Sequence, residues 1–165
     1  MEDTANYLQI MIDGLTKKRE YLDRIAVKNT AQYDCIRGRL YEEIDWTAFD
    51  VLVTEKEISI NRINEIDEAF TKIYNRVKDE VKANKDKYRE QLLKLQEIIT
   101  ELTDKGVQIQ AAEERNRQII DNIFKKTRQE IKKQRSGISA ANKYYATMNN
   151  SVVRAAEVSI LDEKK

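Results

Sequence analysis

The chain contains no proline in 165 residues, and glycine occupies four positions. Proline breaks helix interiors and glycine marks turns, so a chain this poor in both has few places to bend. It is restricted to a small number of long elements, and the apolar residues show which kind. Leu8, Met11, Leu15, Leu22, Ile25, Ile36 and Leu40 follow steps of three and four, the period of one face of an α-helix. Phe49, Leu52, Ile60, Ile63, Phe70, Ile73 and Val77 form a second such stripe. Tyr88, Leu92, Leu95, Ile99, Leu102, Ile109, Ile120, Ile123 and Ile131 form a third.

The local signals place three helices at about 4–43, 47–81 and 85–136. Asp3 or Thr4 caps the first. Asp45 is a natural cap for the second, and Thr47 followed by Asp50 reads as a capping box. "KANKD" (82–86) is a polar connection with Asn84 as a cap. The third stripe keeps phase through Gly106, which is read as a weak spot costing roughly 1 kcal/mol and not a helix end, with a stop at "TDKG" (103–106) as the alternative. "RSG" (135–137) ends the third helix, with Gly137 placed to cap it. Short connections force neighbouring helices to run antiparallel. The expected fold is all-α, an elongated antiparallel three-helix bundle over residues 1–137 with a tail at 138–165.

Composition narrows the function. Charged residues make up 36% of the chain, yet the formal net charge is +1, unlike the strong basic excess of a nucleic-acid binder. No stretch approaches the ~18 apolar residues of a membrane span, and the acidic N-terminus is not a secretory signal. Cys35 is the single cysteine, so no intramolecular disulfide forms and a reducing cytoplasm is the expected setting. Histidine is absent, which removes the usual general base and excludes Cys/His zinc sites. No Gly-rich phosphate loop or nucleophile elbow occurs. Neither enzyme activity nor a cofactor or metal is expected.

The third stripe carries an anomaly. Stepping from Ile109 by threes and fours reaches Glu113, then Asn116, before returning to Ile120. A turn near residue 45 brings Gln32 opposite Lys56, and a turn near 83 brings Lys56 opposite position 111, within a turn of Glu113. Gln32, Lys56 and Glu113 then form one polar layer across three helices, flanked by Asn29 and Asn116. Burial of such a pair shifts pKa values and invites a catalytic reading, but slim bundles rarely offer the concave pocket that catalysis needs. The layer is read instead as a register lock, with Lys56 and Glu113 within salt-bridge distance.

"KKTRQEIKKQR" (125–135) holds six basic residues and one acid. It suits phosphate or anionic lipid, but is read as a solvated helix C-terminus whose charge complements the dipole. Cys35 is a small core or boundary residue, and Trp46 closes its end of the bundle. The tail breaks the stripe and concentrates Tyr144, Tyr145, Met148, Val152, Val153, Val158, Ile160 and Leu161. A short helix from about Ala140 to Asn149 is expected. The tail either packs on the bundle or docks on a partner protein.

"NYLQIMIDGLTKKREYLDRI" with Gln32 after it, "EKEISINRINEIDEAF" and "IQAAEERNR" together resemble the FlgN/FliT-type flagellar export chaperones. The likeness covers residues 5 to about 136 and rests on leucine spacing with the marks Gln32, Glu55, Lys56, Asp67, Glu113 and Asn116. It implies a cytoplasmic chaperone that keeps hook-associated or filament-cap subunits soluble and delivers them to the export gate. It also implies client binding through the C-terminal part, with Tyr144 or Tyr145 as the tyrosine that engages the gate. Such a protein is a monomer or weak dimer, with no nucleic-acid or membrane-inserted partner. The alternative is a structural coiled-coil scaffold that oligomerises through its stripes. Under the chaperone reading the chain's own tail occupies the seam of the three-helix body when no client is bound.

Overall fold

The computed structural model describes residues 2–128 together with Lys143, Tyr144 and Ala146. Three long helices account for nearly all of it: α1 (Glu2–Ile36), α2 (Trp46–Ala83) and α3 (Arg89–Lys126). There is no strand among the described residues. With 35, 38 and 38 residues, the helices are roughly 52 to 57 Å long at 1.5 Å per residue. The molecule is a three-helix bundle. None of its described helices is long and apolar enough to cross a membrane.

Side-chain pairs fix the directions. Between α1 and α2 the sequence separation of bonded partners falls from 49 at Lys18–Asp67 to 24 at Gln32–Lys56, as antiparallel helices require. Between α1 and α3 it stays between 82 and 87, from Gln91–Ala5 through Arg19–Glu101 to Asn116–Asn29, so these two run parallel. Helix α1 packs closely along both neighbours, whereas α2 and α3 approach one another far less. The apolar stripes meet around α1, where Ile25, Ile36 and Ile60 lose all exposure. Leu52, Ile73 and Leu92, on the same stripes, are only half-buried.

Several boundaries differ from the sequence reading. Helix α1 ends at Ile36, not near 43, because Gly38 takes φ 64°, the left-handed region glycine enters at no steric cost. Beyond it the chain makes a short 3-10 turn, Tyr41–Glu43, and the Glu43 carboxylate accepts from the Leu40 N–H at 3.0 Å. Tyr41 is buried there while Leu40 is 59% exposed, so Leu40 leaves the core stripe. Asp45 caps α2, its Oδ1 accepting from the Ala48 N–H at 3.0 Å. Thr47 and Asp50 therefore lie inside the helix and form no capping box. Asn84 closes the other end, donating its side-chain amide to the Glu80 carbonyl at 3.1 Å.

Helix α3 starts at Arg89 instead of 85 and stops at Lys126 instead of 136. At its end the Thr127 hydroxyl donates to the Ile123 carbonyl at 2.8 Å, and its N–H folds back to the Phe124 carbonyl at 3.2 Å. These bonds satisfy carbonyls that another helical turn would have used. Lys125 and Lys126 supply the basic last turn. Ile131, the "RSG" terminus and the basic run beyond Arg128 lie outside the described residues. Gly106 is buried within an unbroken α3.

Trp46 helps close one end of the bundle. Its ring stacks on Phe124 at 5.5 Å and 16°, and it packs against Tyr41 and Phe49 at 5.4 and 5.6 Å. This ties the start of α2 to the end of α3. Cys35 is a boundary residue, half-buried beside the core.

Candidate functional site

At mid-bundle the core contains a polar cluster. Lys56 of α2 is fully buried and points its ammonium into the space between the helices. It donates to Asn29 Oδ1 at 2.8 Å, to Gln32 Oε1, and to Glu113 Oε1 at 2.9 Å. An ammonium has three N–H donors, and here α1 supplies two acceptors while α3 supplies one. Asn116, also fully buried, donates its amide to the Asn29 backbone carbonyl at 3.0 Å and joins α3 to α1 directly. Gln32, Lys56 and Glu113 thus share one layer, with Asn29 bonded into it and Asn116 beside it.

Burial sets the electrostatics. It lowers the Lys56 pKa to about 8, against the opposing attraction and hydrogen bond of Glu113. It raises the Glu113 pKa, against the Lys56 charge and the hydrogen bonds of Tyr144 and Lys56. The Asn29 amide adds a weaker pull of that same lowering sign on Glu113, although no hydrogen bond of good geometry leaves its nitrogen. Desolvation outweighs attraction at both partners, so the pair is not itself a large source of stability. Its effect is on register: slipping a helix by one turn would strand a charge among isoleucines, and breaking such a buried pair costs about 3–5 kcal/mol.

The tail completes the layer. Tyr144 is 1% exposed. Its hydroxyl donates to Glu113 Oε1, and its ring lies under the Lys56 ammonium at 3.6 Å to the centroid. The sequence reading named Tyr144 as a candidate partner-binding residue and left the tail either packed on the bundle or docked on a partner. Tyr144 is packed on the bundle, where its phenol serves a buried cation through its face and a buried carboxylate through its hydroxyl. Lys143, Tyr144 and Ala146 are helical. Tyr145, Met148, Val152, Val153, Val158, Ile160 and Leu161, and the remainder of the expected helix at 140–149, lie outside the described residues.

A second buried ion pair, absent from the sequence reading, joins α1 to α2. Lys18 donates to Asp67 at 2.6 Å, with side-chain exposures of 3% and 8%. Burial lowers the Lys18 pKa, opposed by the Asp67 charge and hydrogen bond. The signal was available: Lys18 falls between Leu15 and Leu22 on the first stripe. More exposed pairs, Arg19–Glu101 at 3.0 Å and Lys105–Asp23 at 2.7 Å, line the α1–α3 boundary. Among the described residues no group of three or more potential metal ligands occurs.

No protein-family model, curated protein or solved structure matches the chain.

Proposed function

We propose that this protein is a non-catalytic, cytoplasmic export chaperone that shields an amphipathic helix of a late flagellar axial subunit, a hook-associated or filament-cap protein. The reading is supported chiefly by one observation: α2 and α3 each pack on α1 more closely than on one another, and where Lys56 of one reaches Glu113 of the other, the tail's Tyr144 covers the pair. Two amphipathic helices around a central third leave a seam that a fourth segment can cover. An amphipathic client helix laid into that seam would use helix-in-groove packing. The terminal helices of axial subunits are segments of that kind, and the resemblance of the chain to FlgN/FliT-type chaperones points to the same partner class.

The test is capture from a lysate of the motile source cell with the full chain as bait, followed by gel filtration. A discrete complex with a hook-associated or filament-cap subunit is expected, and removal of residues 138–165 alters that binding while helicity by circular dichroism persists. Recovery of unrelated proteins, or a stable homo-oligomer that captures nothing, overturns the reading.

A further inference from the structure

We propose that the Lys56–Glu113 layer is a socket for a tyrosine side chain, filled in cis by Tyr144 and open in trans to a partner helix presenting a tyrosine on its apolar face. The inference rests on the helix-binding role proposed above and specifies what the partner helix carries.

The socket has two features that single out a phenol. A buried ammonium sits 3.6 Å from the ring centroid, where the negative face of an aromatic ring stabilises it. A buried carboxylate oxygen accepts the hydroxyl proton, a charge-assisted bond that phenylalanine cannot make. Serine or threonine offers the hydroxyl without the ring. The occupant is not carried by α3 itself but by covalent connection beyond it: α3 ends at Lys126, and Tyr144 lies 31 residues beyond Glu113 in sequence. Covalent connection contributes effective concentration, which a tighter or more abundant partner overcomes.

Tyr144 also leaves hydrogen-bonding capacity unused. Glu113 Oε2 and Gln32 Nε2 are buried without a hydrogen bond among the described residues, and Asn29 Nδ2 exerts only a weak pull on Glu113. The residues that carry them are at most 2% exposed. A partner helix that sets a polar side chain beside its tyrosine reaches groups Tyr144 does not, and thereby displaces it.

The test uses the full chain carrying Tyr144→Ala, with two probes. The first is p-cresol, the free side chain of tyrosine, with toluene as the control. p-Cresol should raise the melting temperature of Tyr144→Ala, toluene should raise it less, and wild type should respond to neither. The second is a fluorescent peptide of residues 138–152 and the same peptide carrying Tyr144→Phe. The tyrosine peptide should bind Tyr144→Ala more tightly than wild type, and loss of the hydroxyl should weaken it about tenfold or more. If Tyr144→Ala does not fold, the tyrosine peptide is titrated into Tyr144→Phe, and binding no tighter than to wild type overturns the socket. Toluene as effective as p-cresol, or equal affinity of the two peptides, overturns it as well. Successful probe binding without capture of an axial subunit removes the chaperone role and leaves the socket, and the reverse result removes the socket alone.

Discussion

Lys56 and Lys18 are both lysines buried in a helical bundle against a carboxylate, yet their surroundings differ. Lys18 meets Asp67 across the α1–α2 boundary. Lys56 is held by three acceptors from two other helices and covered by the ring of a tail residue. A charge neutralised by one neighbour fixes how two helices align. A charge enclosed on every side fixes how three align, and it also offers the polar features that an incoming side chain can recognise. The contrast teaches that burial of an ion pair does not by itself mark a site. The convergence of acceptors from two helices and an aromatic face on one ammonium does.

The largest expected effect comes from removing one partner at the richer layer. Lys56→Met leaves Glu113 buried among Asn29, Gln32 and Tyr144 with no cation, and should cost about 3–5 kcal/mol in urea unfolding. Lys18→Met should cost less, since Asp67 lies nearer solvent. Equal losses would erase the distinction between the two pairs.

Replacing both partners sharpens it further. Lys18→Met with Asp67→Leu should restore stability to wild type or above, as buried pairs exchanged for apolar residues of similar volume often do. Lys56→Met with Glu113→Leu should recover only in part. Asn29 Oδ1 and Gln32 Oε1 would lose the Lys56 donor, at about 1–3 kcal/mol for each group that stays buried. Full recovery there would show that the layer holds no more than its ion pair.

Alkaline pH gives a smaller effect. Folded Lys56 releases its proton near pH 8, whereas an unfolded lysine holds its own to 10.5. Between those values the unfolded chain binds more protons, so this group's contribution to stability rises with pH. Wild type should therefore gain stability from pH 8 to 10 relative to the Lys56→Met, Glu113→Leu double variant. A flat difference would mean that the ammonium stays charged. The smallest effect belongs to Arg19–Glu101, whose side chains are 38% and 41% exposed. Arg19→Gln should shift stability by less than about 1 kcal/mol, and less still in high salt.

Much of this was legible in the residues. The three stripes gave the helices, and counting from the turns placed Lys56 opposite Gln32 and Glu113, because both connections are short and helical rise is constant. The rest was not legible, for physical reasons that differ from residue to residue. Ile36 and Leu40 are in phase, and that phase hid the stop at Gly38. Lys18 stands in "TKKR", where a charged cluster reads as solvated surface, so its place on the stripe went unremarked. The sequence left the tail either packed or docked on a partner, and the pairing of Tyr144 with Lys56 and Glu113 is a tertiary contact that no local pattern encodes. The central position of α1 was equally invisible, since three equivalent stripes do not say which helix lies between the other two.

That central position has a consequence at birth. The ribosome makes α1 first, and α1 is the helix with an apolar flank on two sides. The α1–α2 hairpin can form as soon as Ala83 has emerged. The second flank waits until residue 126 arrives, a delay on the order of two to nine seconds after Ala83 at about 5–20 residues per second. In that interval the nascent hairpin presents an unclaimed greasy strip to the crowded cell.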